Sequence, residues 1–131
     1  MEKNKILIVD DQPNNLKVIS SILSKNYKLF VANSGEKALK ILDVELPDLI
    51  LLDIMMPGMN GYDVCERLKK DDRTKDIPVI FLTAKSETDD IVQGFEMGAV
   101  DYITKPFKIK EVEVRINNHI RMENAKQQLK Q

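Results

Sequence analysis

The feature that most constrains the fold is an apolar run, Leu49-Ile50-Leu51-Leu52, which leads directly into Asp53 and is soon followed by Pro57-Gly58. A continuous apolar run of this length predicts a strand buried on both faces, as in a parallel sheet. Asp53 is then predicted at the carboxyl end of the strand, where ligands bind in open α/β sheets. Because an unpaired carboxylate is costly to bury, we expect cations or water beside it.

The rest of the chain alternates predicted strands with predicted helices. Apolar or β-branched runs predict strands at residues 5–9, 27–31, 79–82 and 100–103, and apolar residues at helical spacing predict the helices, the last one from Ile109. Asn33 and Glu36 resemble a capping box, and Ser86 with Asp89 resembles a helix start. Gly98 suits the residue just past a helix end.

This alternation predicts an α/β fold of (βα)5 type, a doubly wound parallel sheet of five strands with helices on both faces. The first, third and fourth strands are the most apolar, so they are expected in the centre. The second and fifth are shorter or more polar and suit the edges. The strand order 2-1-3-4-5 satisfies both conditions, and we expect it here.

Composition limits the classes of function. The 131 residues suit one domain, and 20 Lys and Arg against 21 Asp and Glu give no support for a direct nucleic-acid or membrane role. A single cysteine excludes an internal disulfide and fits a reducing cytoplasm. The sequence has neither a signal-peptide pattern nor an apolar run long enough to cross a bilayer. We therefore expect a soluble, cytoplasmic protein.

Polar side chains follow four of the predicted strands: Asp10-Asp11, Asp53, Thr83 and Lys105. In the predicted sheet order these strand ends are neighbours. A single Asp at a strand end is usually a helix cap or a solvated loop residue, but four matched ends indicate a site. Oxygen ligands suit Mg²⁺, and a lysine suits an anion beside it. Together they predict in-line phosphoryl transfer onto Asp53.

The chain resembles the receiver domain of two-component response regulators, the CheY-like, flavodoxin-like proteins of signal transduction. The resemblance covers about residues 4–122. It rests on motifs in the expected order: Ile8-Val9-Asp10-Asp11, Leu52-Asp53-Ile54-Met55-Met56-Pro57-Gly58-Met59-Asn60-Gly61, Leu82-Thr83-Ala84 and Lys105-Pro106-Phe107.

The resemblance implies a phosphorelay function and assigns roles to the site residues. Asp53 matches the phosphoacceptor, which a phosphohistidine on a sensor histidine kinase or a phosphotransfer domain would charge. The implied metal, Mg²⁺ or Mn²⁺, would be bound by side chains or backbone of Asp10, Asp11, Asp53 and Met55, the last through its carbonyl. Lys105 matches the lysine that contacts the phosphoryl group, and the Lys105-Pro106 bond matches one that is cis in the family.

Further positions match the family's switch and tuning residues. Thr83 matches the switch hydroxyl and Tyr102 the aromatic that repacks with it, although pattern alone favours an ordinary edge-strand tyrosine. Met55 and Lys85 match positions that tune the lifetime of the phosphoryl group, and we expect slow self-dephosphorylation. His119 lies on a polar helix with no acidic partner arranged as in a kinase phosphodonor, so we expect it to be solvated.

We expect residues 1–122 to form the receiver domain and residues 123–131 to form a helical extension or linker. The implied partners are an output domain or a second copy of the chain, contacted through the face of the fourth helix, fifth strand and fifth helix or through the last helix. The chain is expected to be a signalling switch and not an enzyme beyond self-phosphorylation and self-dephosphorylation. The alternatives are a Mg²⁺-dependent phosphohydrolase with an aspartyl-phosphate intermediate and an interaction module that is never phosphorylated.

Overall fold

The structure, a computed structural model, describes residues 3–84 and 88–129. Within them, five β-strands alternate with five α-helices. In chain order these are β1 (Lys5–Val9), α1 (Pro13–Leu23), β2 (Lys28–Ala32), α2 (Gly35–Val44), β3 (Leu49–Asp53), α3 (Gly61–Lys70), β4 (Val79–Thr83), α4 (Thr88–Glu96), β5 (Asp101–Thr104) and α5 (Ile109–Leu129).

The five strands form one parallel sheet in the order β2-β1-β3-β4-β5, which confirms the predicted fold class and strand order. Every residue of β3 and β4 is buried, whereas the edge strand β2 has exposed and half-buried positions. Helices cover both faces of a parallel sheet, so its central strands need apolar side chains on each side. The uninterrupted apolar runs of β3 and β4 meet that requirement.

Several predicted element ends differ from the structure. β2 and β5 each lie one residue later than predicted. The cap of α2 is Ser34, whose hydroxyl accepts a hydrogen bond from Lys37 N at 3.1 Å, so the prediction of a capping box at Asn33 was wrong. The predicted helix start at Ser86 lies outside the described residues. Gly98 adopts φ +101° two residues after α4 ends, as predicted for a glycine past a helix end.

Two apolar cores lie on opposite faces of the sheet, because successive strand residues point to opposite sides. Ile6 and Ile8 of β1 belong to the core beneath α1 and α5, and Leu7 and Val9 to the core beneath α2 and α3. Cys65 is fully buried in the core beneath α2 and α3.

The loop after β3 is tied closely to the strand it leaves. Gly61 N donates to Ile54 O at 2.9 Å, and a Cβ at Gly61 would lie 2.3 Å from Asp53 O. Asn60 and Asp63 form a reciprocal capping box at the start of α3. Only a glycine fits this close approach, so the start of α3 holds the backbone of Asp53 in place.

Helix α5 packs along the domain for most of its 21 residues. Val112, Ile116 and Ile120 are buried against the sheet, and the side-chain amides of Asn124 and Asn4 exchange hydrogen bonds of 2.9 and 3.2 Å. Charged residues interrupt its apolar positions. Among residues 3–84 and 88–129, no helix has both the length and the apolar character that a bilayer crossing needs.

Candidate functional site

Three carboxylates meet at the carboxyl end of the sheet. Val9 of β1 pairs with Leu52 of β3, so Asp10 and Asp53 follow side by side at the ends of neighbouring strands. Each of Asp10, Asp11 and Asp53 offers a carboxylate oxygen, and these oxygens lie within 4.8 Å of one another. Asp10 is fully buried and Asp53 is 2% exposed. The parallel sheet therefore concentrates negative charge where little water reaches it.

Lys105 provides positive charge at this cluster. Its Nζ lies 3.0 Å from Asp10 Oδ2 and 3.1 Å from Asp53 Oδ1. The backbone aims the side chain, because Lys105 N donates to Thr83 O at 2.8 Å directly after β5. The Lys105-Pro106 peptide bond is cis. One ammonium thus pairs with two of the three clustered carboxylates, so the cluster retains excess negative charge.

The hydrogen bonds of Asp10 leave one of its oxygens available. Its Oδ1 accepts hydrogen bonds from Gln12 N at 2.9 Å and Asn15 Nδ2 at 3.4 Å. Its Oδ2 is buried, and in the described part of the chain its polar contact is the Lys105 ion pair, which lacks hydrogen-bond geometry. A buried carboxylate oxygen normally has a hydrogen-bond donor or a cation as partner. This oxygen accepts no hydrogen bond in the described residues, and two further carboxylates lie beside it, so the group fits a hard divalent cation in addition to Lys105.

Burial raises the pKa of Asp53 from 3.8 to about 7, with the negative charge of Asp10 adding to the rise. The charge of Lys105 and its hydrogen bond act in the opposite direction and lower this pKa. Without a bound metal cation, the Asp53 carboxyl is therefore only partly ionised near neutral pH. A cation bound between the carboxylates would favour the ionised, nucleophilic form of Asp53.

Thr83 and Tyr102 lie on β4 and β5, the two strands that follow β3 in the sheet. Asp53 pairs with Leu82, so Thr83 follows one position further along β4, and it is 4% exposed. Tyr102 pairs with Phe81 across β4 and β5 and is half-buried. A cavity of about 10 Å³ lies between them, lined by Ile54, Phe81, Thr83, Gly94, Phe95, Ala99, Asp101 and Tyr102.

Comparison with known proteins identifies the family. The sequence profile described as "Response regulator receiver domain" matches residues 6–117. This chain is a response regulator receiver domain. It is 34% identical to the "BeF3 Activated DrrB Receiver Domain", with a TM-score of 0.83, over 91% of this chain and 98% of that one.

Curated relatives of the receiver domain are longer proteins. A "Probable cyclic di-GMP phosphodiesterase" of Vibrio cholerae is 46% identical over 92% of this chain and 27% of the relative. A "Probable transcriptional regulator ycf27" of Guillardia theta is 44% identical over 93% of this chain and 47% of the relative. The receiver domain therefore spans about a quarter to a half of these two relatives. Relatives that share this domain carry names of different activities.

The structure also locates the other predicted site residues. Met55 N donates to Asp53 Oδ1 at 3.3 Å, and the Met55 side chain is 66% exposed beside the cluster. Lys85 lies outside the described residues. The prediction that His119 is solvated was wrong, because its ring is largely buried and its Nε2 lies 3.0 Å from Asp101 Oδ2.

Sequence reasoning missed one group of side chains near Tyr102. Asp101 contacts both Arg115 and His119, which are four residues apart on α5. The spacing of the two helix residues shows that they share a face. The position of Asp101 in the sequence gives no sign of this contact, since it depends on how α5 packs against β5.

We predict that Asp53→Asn stabilises the metal-free receiver domain more at about pH 8 than at about pH 5. Between the unfolded pKa of 3.8 and the folded pKa of about 7, the folded wild type binds more protons than the unfolded chain. Raising the pH through this window therefore destabilises the wild type but not the variant. The gap in unfolding free energy should widen by about 1–2 kcal/mol, allowing for solvent screening.

Urea denaturation with a chelator present measures this difference. Asp43→Asn, at an exposed position on α2, is the matched control and should leave the pH dependence of the wild type unchanged. A gap between Asp53→Asn and wild type that stays constant across the pH range would contradict the raised pKa.

Proposed function

We propose that the receiver domain accepts a phosphoryl group from a phosphohistidine onto Asp53 in the presence of Mg²⁺ or Mn²⁺. The observation that carries this proposal is the cluster of Asp10, Asp11 and Asp53 with Lys105 bound to two of them. A nucleophilic carboxylate, a cation site and a fixed ammonium are the parts that phosphoryl transfer needs.

The chemical step joins Asp53 to phosphorus. An Asp53 carboxylate oxygen attacks the phosphorus in line, a P–O bond forms, and the P–N bond to the imidazole breaks. The imidazole leaves with the electron pair and takes up a proton. Lys105 stabilises the charge on the phosphoryl oxygens. A loose transition state of this kind depends on positioning and charge stabilisation more than on acid–base catalysis. Met55 N, already directed at Asp53, offers a further donor.

The metal would be held by Asp10, Asp11, Asp53 and the carbonyl of Met55, and it would supply positive charge at the phosphoryl oxygens. The buried Oδ2 of Asp10, which accepts no hydrogen bond in the described residues, is the observation on this structure that supports its binding. Because three carboxylates share one ammonium, they repel one another. A divalent cation bound between them would relieve that repulsion.

Phosphorylation would act as a switch. The new charge and acceptor oxygens would draw Thr83 inward and hold Lys105, already paired with Asp53, on the phosphoryl oxygens, and Tyr102 would repack beside Thr83. This alters the surface of α4, β5 and α5, which carries the exposed apolar side chains of Val92, Phe95 and Val114. A shift from mostly inactive to mostly active takes roughly 5 kcal/mol, so the metal, Lys105 and Thr83 must act together.

The implied partners are a sensor histidine kinase or phosphotransfer domain and an output domain or second copy of the chain. We propose residues 1–122 as the receiver and 123–131 as the start of a linker, since Met122 and Leu129 are exposed on α5. The greater length of the relatives supports a linker role for this helix. That the receiver itself makes no direct contact with nucleic acid stays a prediction, because one relative is named a transcriptional regulator.

The phosphohydrolase alternative shares the aspartyl-phosphate chemistry but needs more from the protein. A general acid would have to protonate a leaving group, and a cap or pocket would have to hold the substrate. Among the described residues, the loops at the carboxyl end of the sheet are short. Steady turnover of phosphomonoesters would favour this alternative, and stoichiometric labelling favours the switch.

We predict that acetyl phosphate with Mg²⁺ adds one phosphoryl group to the wild type and none to Asp53→Asn. Intact-mass spectrometry measures the gain. Asp43→Asn, the exposed control, should be labelled like the wild type. Labelling of Asp53→Asn to the same extent, or labelling of the wild type in chelator, would overturn the proposal.

We predict that Met55→Asn shortens the lifetime of the aspartyl phosphate about fivefold. The exposed Met55 side chain beside the site presents no polar group to water, whereas an amide can orient the attacking water through a hydrogen bond worth about 1 kcal/mol. Loss of label with time measures the lifetime. Met122→Asn changes a methionine of similar exposure on α5 and should leave the lifetime unchanged. An unaltered lifetime in Met55→Asn would contradict the tuning role.

A further inference from the structure

The ring of Tyr102 is held between side chains from two helices. The Phe95 ring of α4 meets it edge-on, with centroids 6.3 Å apart and an interplanar angle of 79°. On the α5 side, the guanidinium carbon of Arg115 lies 5.5 Å from the ring centroid, within the range of a cation–π contact. The position of the ring in this state is therefore set by contacts from both helices.

Asp101 fixes the guanidinium that faces the ring. Its Oδ1 accepts hydrogen bonds from Arg115 Nη1 at 2.7 Å and from Tyr102 N at 2.8 Å, and its Oδ2 lies 3.0 Å from His119 Nε2. Arg115 Nε also lies 3.5 Å from Glu111 Oε1. One carboxylate thus holds both the backbone of Tyr102 and the cation over its ring. An arginine tied in this way loses little further freedom when it contacts the ring.

The ring of Tyr102 also borders the small cavity that Thr83 lines. At about 10 Å³ this cavity admits one water molecule at most, so the ring does not fit into it without displacing Thr83 or Phe95. A ring that moved into this cavity towards Thr83 would leave its present place beside the Arg115 guanidinium, so the cation–π contact would weaken.

We propose that Arg115, oriented by Asp101, is a positioning residue that holds Tyr102 in its outward place and so opposes the phosphorylated arrangement. This rests on the proposed function, in which phosphorylation makes Tyr102 repack beside Thr83. A contact made in one state and lost in the other shifts the equilibrium towards the first. Arg115 thus weakens binding of a phosphoryl group or its mimic, although it touches neither.

The experiment measures the affinity of the Mg²⁺-loaded domain for beryllofluoride, followed by ¹⁹F NMR of the bound fluorides. Arg115→Gln should bind beryllofluoride about two- to fivefold more tightly than the wild type, the range expected for one exposed cation–π contact. Arg115→Lys keeps a cation near the ring and should return the affinity towards that of the wild type. Arg121→Gln, the same charge change at an exposed position of α5, should have no effect.

A double-mutant cycle separates positioning from a general effect on the fold. In a Tyr102→Leu background the aromatic ring is absent, so adding Arg115→Gln should not change the affinity further. Equal effects of Arg115→Gln with and without the ring would overturn the proposal, as would unchanged or weaker binding in Arg115→Gln alone. Failure of the wild type itself to bind beryllofluoride would instead contradict the proposed function of Asp53.

Discussion

The ion pairs of one lysine with two buried aspartates are the interaction on which the functional end of this receiver domain depends. Lys105 lies within 3.1 Å of both Asp10 and Asp53, which a parallel sheet places side by side at neighbouring strand ends. Removing Lys105, or both aspartates, would leave a buried charge without a partner, which lowers the stability of the fold. With Asp11 also in the cluster, the balance remains negative. The fold thus brings together carboxylates that could hold one further cation.

The same strands connect this site to the surface. β4 ends at Thr83, whose carbonyl accepts the hydrogen bond that aims Lys105, and β5 carries Tyr102 two residues before Thr104. In the proposed switch, a change at Asp53 would reach the outer side of β5 through Thr83 and Tyr102. Asp101 begins β5 and holds Arg115 of α5, so the surface end of this connection has its own fixed charge pair. Small movements at the site would then become discrete changes of packing at the surface.

Much of this arrangement was predictable because the central strands are continuous apolar runs. Burial on both faces fixes β1, β3 and β4, and the polar residues that end them then mark the site. The predicted bounds of β2 and β5 were off by one residue, because burial constrains the sequence of an edge strand less than that of a central one. The cap at Ser34 and the buried His119 were missed for different reasons. Two neighbouring residues compete for one cap, and the Asp101 partner of His119 is brought near only by the packing of α5 on the sheet.

Paramagnetic broadening by Mn²⁺ tests the central claim most directly, because the effect depends on distance from the ion and needs no phosphoryl donor. Substoichiometric Mn²⁺ should broaden the backbone amide signals of residues 10–12, 53–55 and 105 first, and Asp11→Asn should weaken that effect. Asp43→Asn should not. Broadening centred on another part of the domain, or an equal response from Asp11→Asn, would contradict a cation site formed by these carboxylates.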